Sequence, residues 1–368
     1  MSVVQTLAAD HQDKPTVSHG NFTQLPIVDL SGLYSENYNE RLEAALRLGA
    51  AARDSGFCYV TGHAVAPSLI RRAIEQSKAF FSLPIEDKMR LYIGRSRNHR
   101  GYVPEGEEVF TGGTRDRKEA FDLGLELPAD DADVVRGTPM LGPNPWPELQ
   151  GFQDDVSAYY TAVFNLGNVL FQGFALALGL AEDHFSSRVT KPPSQLRLIH
   201  YPYNAGAVDT VGIGAHTDYE CFTILLPTAP GLEVMNGRGD WIDAPPIDGA
   251  FIVNVGDLLE VWTNGEFVAT SHRVRRVREE RYSFAMFCTC DYYTVVEPLN
   301  EFVSVDRPPR YDPQTAGEHL FAQTAQSFSY LKSRLAAGDL VLPASAKPLS
   351  SFGQEARQGK VSGYGVEG

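Results

Sequence analysis

The chain has 368 residues, 43% of them hydrophobic, and a formal net charge of −14. This size and apolar share predict a folded protein of one large or two smaller domains, while the acidic balance argues against nucleic acid or an anionic membrane surface as a partner. Because no run of 18 apolar residues occurs, and four cysteines without Cys-x-x-Cys spacing accompany an N-terminus that lacks a signal pattern, we expect reduced thiols in a cytoplasmic protein that does not span a membrane.

The N-terminal half is predicted to be a loose arm followed by a mixed, mainly helical region. Residues 1–23 are polar and show no periodicity, whereas residues 24–190 place apolar side chains at strand and helix spacing. The expected elements are strands at 25–30 and 57–60 and helices at 36–53, 66–81 and 149–178. The last of these helices carries the most regular apolar stripe, and we expect it to pack on the outside of a sheet.

The segment that follows the first helices is acidic. Between Glu105 and Asp133, ten acids and three bases give a local balance of −7, which is half of the net charge of the chain. The simpler interpretation is a solvated loop. The alternative is an acidic lid at the mouth of a binding site, where it would favour an amine-bearing or cationic small molecule.

The second half of the chain changes to short β-type runs. These runs occupy 196–203, 211–217, 221–226, 231–235, 250–255, 267–274 and 281–290. Their density and their Gly- and Pro-bearing connections predict a sandwich or jelly roll. We therefore predict an α+β fold that is mainly β, with a double-stranded β-helix (jelly roll) core at 191–300. N-terminal helices, one long helix and a C-terminal helical region at 301–344 should flank this core, and 345–368 should form a flexible tail.

Two polar stretches within these runs carry candidate metal ligands. His216 and Asp218 are two residues apart, so their side chains would project from the same face of a strand. Fifty-three residues separate Asp218 from His272, which lies in another β-type run. A sheet folded back on itself would let two imidazoles and one carboxylate hold one side of a metal and leave its other side open. Non-haem Fe(II) oxygenases use this arrangement.

Arg281 and Ser283 also share a strand face, at the start of an apolar run. A buried guanidinium needs an anionic partner. The charged stretch 275–280 predicts a hairpin turn, which would pair the strand of Arg281 with the strand of His272. The arrangement places a fixed cation near the metal, where it can receive a carboxylate.

These residues carry a family resemblance. His216-x-Asp218, His272 and Arg281-x-Ser283 resemble, in type, order and spacing, the isopenicillin N synthase-like branch of the Fe(II)/2-oxoglutarate-dependent dioxygenases. Three N-terminal segments are similar to that branch as well: Leu25–Leu30, Gly56–Val60 and Phe80–Pro84. The resemblance covers roughly residues 24–335 and implies the jelly roll expected above.

The resemblance also implies the cofactors. His216, Asp218 and His272 would bind Fe(II), and Arg281 and Ser283, with Tyr201 assisting, would bind the far carboxylate of 2-oxoglutarate. The reaction would use O₂, release CO₂ and succinate, and hydroxylate, desaturate or cyclise a small-molecule substrate. The protein is expected to be a monomer or a weak homo-oligomer.

Several alternatives share the same residues. An isopenicillin N synthase-type oxidase would use Fe(II) and O₂ without 2-oxoglutarate, and an ethylene-forming-type enzyme would break the co-substrate down. A binding module that keeps the fold without catalysis is a third alternative. A Zn(II) hydrolase is a fourth, but no candidate general base accompanies the triad in the sequence.

The remaining candidate residues are interpreted as structural or exposed. His63 and His200 are predicted to be structural, His99 to be a solvated loop residue and His319 to lie on a helix surface. Asp257 is not expected to bind the metal, because the triad already accounts for the site. Arg197 is either a substrate anchor or an ion-pair residue at the barrel edge, and the sequence pattern leaves both interpretations open.

Overall fold

A computed structural model describes residues 20–109, 117–203, 211–275 and 278–348. The strands are β1 Ile27–Asp29, β2 Phe57–Thr61, β3 Gly101–Val103, β4 Glu119–Gly124, β5 Gln195–Tyr201, β6 Val211–His216, β7 Phe222–Pro227, β8 Leu232–Met235, β9 Trp241–Asp243, β10 Phe251–Val255, β11 His272–Arg275, β12 Arg281–Cys288, β13 Val295–Val296 and β14 Gln314–Thr315. The α-helices are α1 Tyr38–Asp54, α2 Pro67–Phe81, α3 Ile85–Met89, α4 Ala132–Arg136, α5 Phe152–Ala177, α6 Asp257–Trp262, α7 Ala316–Ser327 and α8 Ser329–Ala337. Short 3-10 helices lie at Ser31–Tyr34, Ile93–Arg95, Ser186–Arg188 and Asn300–Phe302.

Two sheets form the core of the fold. The larger has eight strands in the order β1-β2-β10-β7-β12-β5-β4-β3, and the smaller has four in the order β6-β11-β8-β9. Within them β1 and β2 are parallel, and the other pairs are antiparallel. Many strands that are neighbours in the sheets are far apart in the sequence and are joined by long stretches of chain. This connectivity is typical of the predicted jelly roll, and helices lie around it. The α+β, mainly β fold class is confirmed.

One predicted strand pairing is wrong. The strand of Arg281, β12, does not form a hairpin with β11; it lies in the larger sheet between β5 and β7, whereas β11 lies in the smaller sheet between β6 and β8. The reason is that β12 is eight residues long and buried along almost its whole length. The neighbours β5 and β7 can satisfy the backbone hydrogen-bonding groups along both edges of β12, whereas β11 has only four residues and is too short to do so.

The long helix packs against the outer face of the larger sheet, as predicted. The ring of Tyr159 on α5 meets Phe284 of β12 with the centroids 5.9 Å apart. Further along, a Cβ at Gly167 would lie 2.9 Å from Cys288 Sγ, so this close approach of helix and sheet requires glycine. The helix begins three residues later than predicted, after Gly151 at φ 78°.

The predicted C-terminal helical region at 301–344 contains two α-helices rather than one, because the chain becomes extended at Phe328, with φ −88° and ψ 130°. Around this break, Val109 N–H donates to Ser327 O and Ser329 N–H donates to Glu107 O, both at 2.9 Å. We call this pairing of residues 107–109 with 327–329 the strap. Beyond it, Gln323 and Gln326 donate to Lys347 O. Most of the predicted arm at 1–23, namely residues 1–19, and most of the predicted tail at 345–368, namely residues 349–368, lie outside the described residues.

Candidate metal centre and co-substrate pocket

The three candidate ligands meet at one end of the barrel. β6 and β11 are neighbours with His216 directly opposite His272, and Asp218 follows the end of β6. Asp218 Oδ1 lies 3.8 Å from His216 Nε2 and 3.5 Å from His272 Nε2. One possible ligand atom from each residue lies within 4.8 Å of the others. The spacing inferred from the sequence therefore does bring the three side chains together.

Backbone carbonyls orient both imidazoles. His216 Nδ1 lies 2.8 Å from Gly214 O, and His272 Nδ1 lies 3.2 Å from Thr270 O. These contacts place the proton on Nδ1 and leave the lone pair of Nε2 directed at the shared centre. Burial, together with the neighbouring His272, lowers the pKa of His216 to about 4. His216 is therefore neutral near pH 7, which is the form that binds a metal.

The Asp218 carboxylate is oriented by two donors. Asn254 Nδ2 donates to Asp218 Oδ2 at 2.7 Å, and Thr223 Oγ1 donates to the same oxygen. Oδ1 is then the oxygen that faces the histidines. Burial opposes ionisation, but the pKa of Asp218 is held below its usual value, chiefly by His272. Two imidazoles and one carboxylate on one side of a centre form the ligand set that suits Fe(II) with open positions.

The triad opens on a cavity of about 910 Å³, including its solvent-filled mouth, that Arg281, Ser283 and Tyr201 also line. Arg281 is 1% exposed, donates from Nε to Ala229 O at 3.1 Å and lies 4.8 Å from the centroid of the Tyr201 ring. Among the described residues, neither Arg281 Nη1 nor Ser283 Oγ has a hydrogen-bond partner. Because unsatisfied buried donors are costly, this pair fits a carboxylate that enters through the cavity.

A buried ion-pair network forms another part of the cavity wall. Arg197 contacts Asp122 at 2.8 Å through two nitrogens and Glu108 at 3.0 Å, and Lys118 contacts Glu108 at 2.9 Å. Burial disfavours the Glu108 carboxylate, but Arg197 and Lys118 lower its pKa to about 2. Arg197, for which the sequence left two roles open, is thus an ion-pair residue in the described structure.

Three acids of the acidic segment 105–133 are buried, so this part of the segment is neither a solvated loop nor a lid of free acids. Glu108 and Asp122 belong to the network just described. Glu119 is buried too, and it accepts hydrogen bonds from Lys88 Nζ and Tyr102 Oη, both at 2.6 Å. The charge count could not reveal this, because the cations that bind these acids are far away in the sequence. Residues 110–116 of the segment lie outside the described residues.

We expect Arg197→Leu to destabilise the fold by about 3–5 kcal/mol, because it leaves Glu108 and Asp122 buried without their guanidinium. Urea unfolding followed by circular dichroism measures the loss. Arg47→Ala, which removes an exposed pair with Glu43 on α1, is the control and should cost below about 1 kcal/mol. A loss of similar size in both variants would mean that water already solvates the network around Arg197.

Two histidine predictions are wrong. His99 is buried, its ring meets Phe328 at 4.5 Å, and its Nδ1 lies 2.6 Å from the hydroxyl of Tyr330. Burial lowers the pKa of His99 to about 3. His319 is also buried, with Nε2 3.4 Å from Asp257 Oδ2. In both cases the covering surface comes from a distant part of the chain, which local sequence does not reveal.

The other two histidines have the structural surroundings that we predicted. His63 Nε2 lies 3.1 Å from Gly249 O. His200 faces away from the triad, with its nitrogens 2.8 Å from Glu119 and 2.9 Å from Glu280. Asp257, not expected to be a ligand, contacts His319 instead.

Sequence reasoning missed several residues on the cavity wall, among them Gln195 and Glu220. These two are 8% and 7% exposed, and Gln195 Nε2 and Glu220 Oε2 have no hydrogen-bond partner among the described residues. Burial, as the larger cause, and the negative charge of the nearby Asp218 together raise the pKa of Glu220 to about 8. The available signal was an acid at the start of the apolar run that follows Asp218.

The fold and this site define a class: a jelly roll with two histidines and one carboxylate is the framework of non-haem Fe(II) oxygenases. Comparison with known families agrees. A family model described as the non-haem dioxygenase in morphine synthesis N-terminal domain matches residues 25–149, and the model of the 2OG-Fe(II) oxygenase superfamily matches residues 192–289.

Individual proteins show the same relationship. A homoarginine-6-hydroxylase of Oryza sativa subsp. japonica is 33% identical, over 84% of this chain and 98% of its own length. A putative 2OG-Fe(II) oxygenase of Caulobacter crescentus superposes with a TM-score of 0.72 and 31% identity, over 86% of this chain and 99% of the other. A full-length Neurospora crassa protein, solved in complex with α-KG, gives a TM-score of 0.71 and 27% identity, over 87% of this chain and 98% of the other.

The chain therefore belongs to the 2OG-Fe(II) oxygenase superfamily, as its motifs suggested. It is an oxidoreductase that uses Fe(II), 2-oxoglutarate and O₂. Of the helices in the described part of the chain, none has the length and apolar character needed to cross a membrane.

Proposed function

We propose that His216, Asp218 and His272 bind the Fe(II), and that Arg281, Ser283 and Tyr201 bind the far carboxylate of 2-oxoglutarate. The observation that carries the second assignment is the pair of unsatisfied buried donors, Arg281 Nη1 and Ser283 Oγ, on the same cavity as the triad. A carboxylate with two oxygens satisfies both donors, and a guanidinium binds it with a charge-assisted hydrogen bond.

The protein is then a hydroxylase of a small-molecule substrate, with desaturation or cyclisation as the alternative outcomes. Iron held by His216, Asp218 and His272 would supply the redox chemistry that reduces O₂, converts 2-oxoglutarate into succinate and CO₂ and oxidises the substrate. The chain itself fixes the ligand atoms through Gly214, Thr270, Asn254 and Thr223, and it excludes water with the buried barrel wall.

The substrate is a finer proposal. Relatives named homoarginine-6-hydroxylases in Oryza sativa subsp. japonica and Arabidopsis thaliana, 33% and 32% identical, favour the amine-bearing or cationic class expected from the sequence. The clavatol oxidase of Penicillium crustosum, at 31% identity, bears another substrate name, so family membership alone does not select one. A cytoplasmic monomer or weak homo-oligomer belongs to the same proposal, and four buried free cysteines agree with a reducing compartment.

The test is an anaerobic titration of the purified protein with Fe(II) and 2-oxoglutarate, followed by a substrate screen in air for succinate. We expect an absorption band that needs both Fe(II) and 2-oxoglutarate, and succinate that rises in step with oxidised product. Substrate oxidation without succinate would instead indicate an oxidase of the isopenicillin N synthase type. Ethylene would indicate the ethylene-forming reaction, and absence of O₂ consumption with every candidate would contradict the proposal.

We expect Thr223→Val to weaken Fe(II) binding by about 10–100-fold, because it removes a donor that orients Asp218 while keeping the shape of the side chain. Anaerobic Fe(II) titration measures the affinity. Thr161→Val makes the same chemical change on the exposed surface of α5 and should leave the affinity unchanged. Equal Fe(II) affinity in both variants would show that Asn254 alone suffices to orient the carboxylate.

A further inference from the structure

The cavity contains polar side chains that the site described so far does not use, among them Gln195 and Glu220; Tyr219, whose Oη also has no hydrogen-bond partner among the described residues, is another. Gln195 and Glu220 are both more than nine-tenths buried and line the cavity. Among the described residues, Gln195 Nε2 and Glu220 Oε2 have no hydrogen-bond partner. Buried polar atoms in folded proteins almost always have a partner. Several such exceptions in one cavity point to a missing ligand rather than to a defect of packing.

The backbone places both residues at the metal end of the cavity. Gln195 lies opposite Phe287 in the pairing of β5 with β12, and Thr223, which holds Asp218, lies opposite Phe287 on the other side. The segment of Glu220 is attached at the same level, where Cys221 N–H donates to Cys288 O at 2.9 Å. Six residues of extended strand, about 20 Å, separate Phe287 from Arg281.

This separation distinguishes the pair from the proposed co-substrate anchor. The far carboxylate of 2-oxoglutarate lies at the Arg281 end of β12, whereas Gln195 and Glu220 lie at the other end. A ligand that reaches both of them occupies the part of the cavity beside the metal, on the substrate side.

The charges on the wall suggest what that ligand carries. Arg197, a cation that acts on Glu220 electrostatically, already contacts Asp122 and Glu108, and Lys118 contacts Glu108. Asp218 and Arg281 are assigned to iron and to 2-oxoglutarate. Among the described charged groups of the cavity, Glu220 is thus an acid that forms no ion pair with these cations. A buried carboxyl oxygen without a partner needs a hydrogen-bond donor, and a cationic N–H group is the strongest donor available to it.

We propose that Glu220 and Gln195 recognise the substrate, and that the substrate is a small molecule with a basic nitrogen. Its ammonium, amidinium or guanidinium N–H donates to Glu220 Oε2, and an oxygen of the same molecule accepts from Gln195 Nε2. The inference rests on the proposed function of the site. It moves the acid that selects such a substrate from the 105–133 segment to the residue two positions after Asp218.

The test compares charged probes with neutral isosteres. The protein, loaded anaerobically with Fe(II) and 2-oxoglutarate, is titrated by calorimetry with L-homoarginine and L-homocitrulline, and with L-lysine and Nε-acetyl-L-lysine. We expect a cationic member of at least one pair to bind about 10-fold or more tightly than its neutral partner. Glu220→Gln should abolish that preference. Gln195→Leu should weaken the binding of both members of a pair and leave the preference for the cationic member unchanged. Succinate release with the preferred probe follows in air.

Two controls separate recognition from general damage. Glu105→Gln removes an exposed acid of the neighbouring segment and should keep the preference. Unchanged affinity for 2-oxoglutarate verifies that Glu220→Gln is folded; if it is not, Glu220→Asp, which withdraws the carboxylate by one methylene, should weaken the cationic probe selectively.

Equal binding of charged and neutral probes to the wild type, or a preference that survives in Glu220→Gln, would overturn the inference. In that case the 2-oxoglutarate-dependent band and succinate release would still stand. Failure of the wild type to bind 2-oxoglutarate would instead overturn the proposed function of the site.

Discussion

Replacing His216 with alanine should abolish the absorption band that Fe(II) and 2-oxoglutarate produce together. The variant keeps Asp218 and His272 but loses one of three ligand atoms that lie within 4.8 Å of one another. Loss of an outer partner of a metal ligand already costs about 10–100-fold in affinity, so loss of the ligand itself should cost more. We expect Fe(II) binding to fall by more than about 100-fold and succinate release to fall to background.

His184→Ala is the matched control, because His184 is a partly buried histidine that packs on Phe185 at 4.9 Å and does not line the cavity. This variant should keep the band and the Fe(II) affinity. A His216→Ala variant with a normal band would mean that iron binds elsewhere, and the assignment of the triad would be wrong.

Replacing Arg281 with alanine should separate the two cofactors. Fe(II) affinity should stay within about threefold of the wild type, because the side chain does not belong to the triad. Binding of 2-oxoglutarate should weaken by about 100-fold or more, since a hydrogen bond to a charged group contributes about 1.5–3 kcal/mol and the guanidinium also supplies the counter-charge. Anaerobic titration of the band with 2-oxoglutarate measures this affinity.

Arg273→Ala is the control for this variant. Arg273 follows His272 in β11, but its Nε contacts Glu233 at 2.6 Å and its guanidinium covers the Trp241 ring at 4.1 Å, outside the cavity. It should leave 2-oxoglutarate affinity unchanged. Should Arg281→Ala do the same, the guanidinium would have another role, and the co-substrate would need another anchor.

The sequence predicted the site better than it predicted the pairing of the strands. His216 and Asp218 could be placed together because the period of a strand is two residues, and a β-type run suggested where His272 lies. The position of β12 could not be read in the same way. The charged stretch 275–280 is compatible with a hairpin or with a crossover to the other sheet, and only packing on both faces of β12 decides between them.

The second feature that the sequence could not predict was the burial of polar and charged side chains. Glu108 and His99 lie in segments that are rich in charged residues, and such composition favours solvent exposure. In the folded chain Arg197 and Phe328 cover them, and these partners are 89 and 229 residues away in the sequence. Local composition contains no information on which distant residue covers a charge, so the acids of the 105–133 segment could be counted but not placed.

The strap joins two segments that are synthesised far apart in time. Residues 107–109 and 327–329 close one side of the cavity together, yet more than two hundred residues of synthesis lie between them. Chains are synthesised from the N-terminus, so all three metal ligands leave the ribosome before the second half of that wall. A chain that ends short of α7 would therefore carry all three metal ligands without this side of the cavity wall.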